Sequence, residues 1–448
     1  MKDWTLAGNR HGVSFITFTE GKGTSVNSGS AARKTPIYIQ QSEPAATHNK
    51  SAVVSRQSLT VLIVVPTLHA GAAEMGAVDL VRILAEGGHS AIVMSRGGRL
   101  EAQILEAGGE FVYADVASKN PVIMARNIAV ISRIVRQRKC DVIHAHGRAP
   151  AWSAYIAAKL THTPFVTSWY KGFREQNAFK HFYNSIMARG DRIIAVSDQL
   201  AELISERHSV PCDKINVVPA SIDFDLFNPA NVSVERIDAM RRIMGVTAGD
   251  KVILVVGRML RRKGHHVAVR AARRLKDMGM KDFVFAFVGE DEGHSRYTGD
   301  LWDEVLANDL AGVVRLIGPV DDLPASYAVA SVVVSAAIQQ EGLQRAILEG
   351  QAMERPVVVS DLGAGPEVVL APPAVPEERM TGLRFSAGDD AGLAAGLVRL
   401  FSMSPAQHHA IGLRGRQWVT QHFDRAAISD LMLRLYSGLA QTKKTTRS

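Results

Sequence analysis

The feature that most constrains this chain is a repeated alternation of short, wholly apolar runs with segments of helix length. It begins at residues 60–66, Thr-Val-Leu-Ile-Val-Val-Pro. An unbroken apolar run of that length is what a parallel strand buried on both faces requires. Further strand-like runs are read at 89–95, 110–114, 141–145, 164–168, 192–197 and 215–219, with helix-length segments such as 72–86 and 122–138 between them. Strand, helix, strand in this order predicts a parallel sheet covered on both sides. After a polar, proline-bearing stretch at 227–233 the scheme restarts, with runs at 251–257, 282–289, 313–318, 331–336 and 356–361. The expected class is α/β, with two Rossmann-like units facing a cleft, and ligands of such sheets bind at the carboxyl ends of the strands. The predicted organisation is a disordered leader over 1–57, an N-terminal unit over 58–228, a C-terminal unit over 229–424, and a last helix near 424–439 that packs back on the first unit before a basic tail.

Charge bears on which partners are sensible. The net charge is +8, but residues 1–57 hold seven Lys/Arg against three Asp/Glu, and Lys443, Lys444 and Arg447 add three more at the end. That leaves +1 for 58–442, which argues against a nucleic-acid-binding body. Within it, 119–192 carries thirteen Lys/Arg against Asp141, Glu175 and Asp191, a local patch suited to anionic partners. Cys140 and Cys212 each stand alone, so neither a disulfide framework nor a cysteine-zinc site is expected, and a reducing compartment, the cytoplasm, fits. No apolar run reaches the roughly 18–20 residues of a membrane span.

Three strand-to-helix corners carry candidate chemistry. The first is Gly257-Arg258 … Lys263-Gly264, after a strand and ahead of a helix near His265. Glycine permits a tight exit, the helix start offers free N–H groups, and Arg258 and Lys263 add fixed positive charge, which together suit a phosphate. The alternative is a solvated basic loop, since Arg261 and Arg262 lie there too. The second is Glu341-Gly342-Leu343 … Glu349, two carboxylates eight positions apart on a segment read as one helix to about Met353. On a helix that offset puts them ~80° apart and ~12 Å along the axis, suited to gripping different parts of one elongated ligand. The third is the turn Pro66 … Gly71-Ala72-Ala73-Glu74, which lacks the GxGxxG spacing of a dinucleotide site.

These corners resemble glycosyltransferase family 4, whose members have the GT-B architecture. The resemblance also runs through His144-Ala145-His146, Asp191 to Asp198, Val218 to Phe227, Val288-Gly289-Glu290-Asp291 and Gln351 to Pro356, and so covers about residues 60–440. It implies retaining transfer from a nucleoside-diphosphate sugar to a glycan or lipid-linked acceptor, as in envelope polysaccharide or lipopolysaccharide assembly. It further implies that Arg258 and Lys263 hold the diphosphate, Glu349 binds the ribose and Glu341 lies by the donor sugar. Gly257, Gly289 and Leu343 would line the donor site, and the turn at Gly71 would face the phosphates from the first unit. With the leaving group neutralised by side chains, no metal and no cofactor is implied. Two departures stand out: Leu343 and Gln344 where the family often has Phe and Gly, and Trp169-Tyr170 where a Phe-His pair commonly follows the strand. The alternatives left open are a GT-B-type epimerase or phosphorylase, and a non-catalytic nucleotide-sugar-binding protein of the same fold.

Other signals weigh less. Asp223-Phe224-Asp225 looks like a DxD metal clamp, but it lies in the turn after 217–219 and is read as helix capping. His144 and His146 alternate along a strand end and are expected on opposite faces, with His146 at the tip able to line the cleft beside Tyr170. His265-His266 is expected to cap a helix start. Residues 169–189 mix aromatic and basic side chains, and docking to an anionic membrane surface is the functional reading favoured there, against a half-buried helix with a solvated basic side.

Overall fold

The computed structural model describes residues 6–10, 13–16, 58–69, 71–173, 177–291, 293 and 295–445. Most of the predicted disordered leader therefore lies outside the described residues. Its described part, Leu6–Arg10 and Val13–Ile16, pairs as two antiparallel strands and forms a unit of its own with the leader.

Residues 58–448 make up the other unit and contain two parallel sheets. The first has seven strands, in the spatial order Glu110–Tyr113, Ser90–Ser95, Thr60–Val64, Val142–His146, Phe165–Trp169, Arg192–Ala195 and Ile215–Val217. The second has six, ordered Val314–Gly318, Phe283–Val288, Lys251–Val256, Val332–Ser335, Val357–Ser360 and Gly382–Phe385. The apolar runs are strands for the reason foreseen: Val61, Leu62, Ile63 and Val64 are fully buried, as are Val332, Val333 and Val334. Each sheet is sandwiched between two apolar cores, one per face.

Local signals explain most helix starts. Asn120 accepts a hydrogen bond from Val122 N and sits before Pro121, opening the helix Pro121–Gln137. Ser404 and Gln407 form a capping box on the helix Pro405–His422. The last helix, Arg425–Thr445, returns to the first sheet, where Ile428, Met432, Tyr436 and Ala440 join the core of Val61 and Ile63. The outgoing and returning strands of chain run side by side, Ile222 N donating to the Phe423 carbonyl at 3.2 Å.

In both sheets the first strand lies beside the fourth, so each has a switch point where successive helices leave toward opposite faces. In the first sheet it falls between Thr60–Val64 and Val142–His146, in the second between Lys251–Val256 and Val332–Ser335. The loops at the carboxyl ends of these four strands are the ones a ligand of this architecture meets.

Candidate functional site at the carboxyl ends of the two sheets

At the second switch point glycine lets two loops touch backbone to backbone. Gly264 has φ 73°, and a Cβ there would lie 1.8 Å from the Ala336 carbonyl oxygen. A Cβ on Gly289 would lie 2.0 Å from the Gly257 carbonyl. Gly257, Gly264 and Gly289 are thus the points at which neighbouring loops close on each other, leaving backbone and not side chain at the sheet edge. Between them a single 3-10 turn, Arg261–Lys263, precedes the helix His265–Asp277.

That turn aims two cations at one carboxylate. Lys263 Nζ and Arg262 Nη1 both donate to Glu341, one to each oxygen, and the Glu341 side chain is only 9% exposed. Glu341 is not helical. The helix starts at Arg345 and runs to Ala352, so the rotation and rise expected between Glu341 and Glu349 do not apply. The reason lies in the neighbouring half: a Cβ on Gly342 would fall 2.1 Å from the Tyr170 carbonyl, and Leu343 packs against cores of both sheets. The segment is held as a wedge between the two halves before the helix begins. Glu349 is buried; its Oε2 accepts from the Tyr327 hydroxyl at 2.7 Å and its Oε1 lies 3.6 Å from Arg345 Nε. Arg345 reaches on to Asp79 of the first half at 3.0 Å.

The first switch point is different. The turn before the helix Ala72–Glu86 is capped by Gly71, and a Cβ there would meet the Glu74 carboxylate at 2.4 Å. Glu74 accepts from Thr67 Oγ1 at 3.2 Å, so the positive end of this helix already faces a carboxylate of its own first turn. His144 and His146 do not point to opposite faces. Their rings stack edge to face at 4.4 Å, because residues two apart on a strand share a side. His144 is bonded to Tyr436 of the last helix and to Ser168, each at 2.7 Å. His146 lies 3.1 Å from the Ala73 carbonyl and 3.0 Å from the Tyr170 hydroxyl, and Tyr170 leans over Gly76. Burial pushes His146 down to about 4, holds His144 well below the usual imidazole value, and raises Tyr170 above the usual phenol value. All three are neutral near pH 7.

Lys171 follows Tyr170 and brings the first half's charge into the cleft. A Cβ on Gly172 would touch the Gln340 side chain at 3.0 Å, so this loop abuts the Glu341 loop. The Lys171 ammonium is lowered from the usual lysine value by partial burial and by the positive charges of Arg262, Arg148 and Arg258, with Glu74 opposing. Arg148 lies over the Trp169 ring at 5.4 Å. Other contacts also cross between the halves: Arg99 pairs with Glu290, and Glu367 accepts from the N–H groups of Asp198 and Gln199 at 2.9 and 2.8 Å.

The structure therefore brings Gly257, Lys263, Gly289, Glu341 and Leu343 to one edge, with Arg258 in the same loop. Glu349 stands in the adjoining Tyr327–Arg345 network, and Gly71, His146 and Tyr170 belong to the opposing loops. Sequence reasoning missed Arg262 as a partner of Glu341, along with Asp79, Arg345 and Lys171; the first was visible only as one more basic residue in a basic loop. His265 is no cap. The cap position is Gly264, and His265 is buried against Phe287, with its pKa lowered to about 3 mainly by that burial. Asp223 caps a turn and not the expected helix, accepting from Asp225 N and Leu226 N. Of residues 169–189, Trp169 and Tyr170 face inward, and the exposed aromatics are Phe179 and Phe182. Among the described residues no group of three or more His, Cys, Asp or Glu is placed to hold a metal ion, and no helix is long and apolar enough to cross a membrane.

Known proteins share this arrangement. The family model described as Glycosyltransferase Family 4 matches residues 73–226, and that described as Glycosyl transferases group 1 matches 250–403. D-inositol 3-phosphate glycosyltransferase of Nocardiopsis dassonvillei is 28% identical over 240 residues, 50% of this chain and 55% of that protein. The UDP-Gal:alpha-D-GlcNAc-diphosphoundecaprenol alpha-1,3-galactosyltransferase of Escherichia coli is 26% identical over 262 residues, 53% of this chain and 65% of its own length. The chain thus spans just over half to two thirds of these relatives. Among solved structures, a glycosyltransferase from Rickettsia africae superposes with a TM-score of 0.77 at 28% identity, covering 85% of this chain and 98% of that one. HepE of Anabaena, solved with UDP, gives 0.72 at 18% identity, covering 85% of this chain and all of that one. With two parallel-sheet domains, the corner motifs at their carboxyl ends and matches to both halves, the chain belongs to glycosyltransferase family 4 and has the GT-B fold.

Proposed function

We propose that this chain transfers a sugar, with retention, from a nucleoside-diphosphate sugar to a glycan or lipid-linked acceptor. The observation that carries this is the meeting of the Arg261–Lys263 turn with Glu341 at the switch point of the C-terminal sheet. Two cations and a carboxylate wait there on adjoining loops, with glycine backbone beside them. In this reading the donor diphosphate takes Lys263 and Arg258, and Glu341, released from Lys263, turns to the hydroxyls of the donor sugar. Glu349 receives the ribose, its carboxylate already oriented by Tyr327 and Arg345. As the anomeric C–O bond breaks, its electron pair passes to the diphosphate. The acceptor hydroxyl oxygen bonds to the anomeric carbon from the same face, and its proton goes to the departing phosphate oxygen. Fixed cations stabilise the growing charge in a partly desolvated cleft. His146 and Tyr170, neutral and packed together, shape the acceptor side without supplying a base near pH 7. Support comes from HepE, solved with UDP and with UDP-glucose, and from relatives named for phosphate- and diphosphate-bearing acceptors.

The test is to offer UDP-, GDP- and ADP-sugars and follow nucleoside-diphosphate release in wild type, Lys263→Ala and Glu349→Gln. Steep loss of kcat/KM in both folded variants is expected. Near-normal turnover in both rejects the site.

A second reading, membrane docking, rests on one surface. The helix Ala178–Ser185 exposes Phe179 (76%) and Phe182 (54%), and Arg189 lies over the rings of Phe182, Trp152 and Tyr155. Apolar rings rimmed by basic groups suit an anionic lipid interface. Sedimentation with anionic vesicles should fall in Phe179→Ser/Phe182→Ser; unchanged sedimentation removes this reading.

A further inference from the structure

The C-terminal half has a second concavity on the side of its sheet away from the cleft. Lys251, Ser331 and Pro356 stand at the amino ends of three neighbouring strands and open a cavity of about 390 Å³. Arg355 lines it, and His408 and His409 enter from the start of the helix Pro405–His422. Its charge is lopsided. The Arg355 guanidinium, itself largely buried, donates to the carbonyls of Met353 at 3.1 Å and Ala330 at 3.3 Å, which are neutral acceptors. Glu354, the one acidic side chain on the wall, lies 3.8 Å from Arg416 and is shared between it and Arg355, whose charge it also favours. His408 Nε2 is buried without a hydrogen-bond partner.

A guanidinium whose hydrogen bonds all go to carbonyls is only partly offset by the one carboxylate it shares with Arg416, and a buried polar atom without a partner costs free energy. The neighbours register that field. Burial and then the charges of Arg355 and His409 hold His408 below the usual imidazole value. An anion in the cavity would offset the positive charge of Arg355 and Lys251 that line it. The opposite wall, Leu400, Phe401 and Met403, is apolar, and the volume exceeds what a bare inorganic anion fills.

We propose that this cavity binds a small phosphate-bearing molecule through Arg355, His408, His409 and Lys251. The site is separate from the sugar-transfer cleft, and the binding does not depend on the proposed activity. It is placed to influence that activity. Arg355 N bonds to the Gly350 carbonyl at 2.9 Å, at the end of the helix that carries Glu349. Any effect on donor affinity would travel along that helix, a consequence that does rest on the donor reading.

Inorganic phosphate is titrated calorimetrically into Lys263→Ala protein, in which the cleft has lost a cation, and into the same protein with Lys251→Ala and His409→Ala added. Phosphate should bind the first and bind the second about tenfold or more weakly. Sulfate, whose charge is constant over the range, should bind Lys263→Ala protein more tightly at pH 6 than at pH 8, because an anion beside it favours the protonated His408 ring, now held below its usual value. Equal affinity at the two pH values overturns a role for His408. Absence of binding to Lys263→Ala protein, or equal binding by both proteins, overturns the proposal. Turnover of Lys263→Ala is measured in parallel, so failure of the cleft reading is seen independently.

Discussion

The two halves share a strand order and differ in what they place at the carboxyl ends of those strands. In the C-terminal half the switch point holds glycines, Arg262, Lys263 and Glu341, so backbone and charge face the cleft. In the N-terminal half the corresponding strands end in His144, His146 and Tyr170, buried, neutral and bonded to one another or to the last helix. One scaffold thus carries cations and glycine backbone at one edge and a close-packed neutral wall at the other. Charge at the first edge, as in Glu74, Arg99, Arg148 and Lys171, stands on the loops and helix starts beyond the strands.

The largest expected effect follows from removing a cation at the charged edge. Lys263→Ala should lower kcat/KM about 10²–10³-fold, the range seen when one donor to a developing charge is lost, with little change in melting temperature. A loss below tenfold would mean that the two edges do not differ in the way described. Backbone closure at that edge is the next target. Gly264→Ala puts a Cβ into the Ala336 carbonyl at a positive φ, and should cost about 2 kcal/mol or more in denaturant unfolding. Retained stability would show that the loops separate easily.

The neutral wall is tested by acid. With a native pKa of about 4 against an ordinary 6.5, His146 is protonated in the unfolded chain before the folded one as pH falls. The stability this represents is present above pH 6.5 and is lost between there and about 4, at up to about 1.4 kcal/mol per pH unit. His146→Gln should flatten the acid limb of a stability-versus-pH curve by that slope, and an unchanged limb would mean that the ring is not held neutral. Tyr436→Phe leaves His144 Nδ1 without its partner and should cost about 1–3 kcal/mol in thermal unfolding. Smallest is Tyr170→Phe, which removes only the hydroxyl near His146. Because burial raises that phenol, it does not act as a base, and kcat should fall less than about tenfold with no limb of the pH profile lost. Loss of a limb would assign Tyr170 a proton-transfer role.

How far these features could be read in advance depended on their range. Twelve of the thirteen strands in the two parallel sheets were visible, the central ones because a parallel strand buried on both faces must be apolar along its whole length, and Thr60–Val64 and Phe283–Val288 read that way without help. Gly382–Phe385 was missed: it is a short edge strand opening with glycine and carrying Arg384, and its pairing with Val357–Ser360 identifies it as a strand. The glycine-rich corner at 257–264 was legible for the same local reason as the strands, since tight exits need residues without side chains.

What the sequence by itself determined is the alternation, and with it two parallel sheets, the glycine-rich corners at their carboxyl edges, and the cations at the second corner. Those depend on residues close together in the chain, where burial period and turn chemistry leave a direct mark. Only the tertiary structure decided that Glu341 stays outside its helix and takes Arg262 and Lys263, that Glu349 is tied through Arg345 to Asp79, and that His144 is locked by Tyr436. Each of those outcomes joins residues tens to hundreds of positions apart. Such pairings are selected by how whole elements pack, and no local pattern records them.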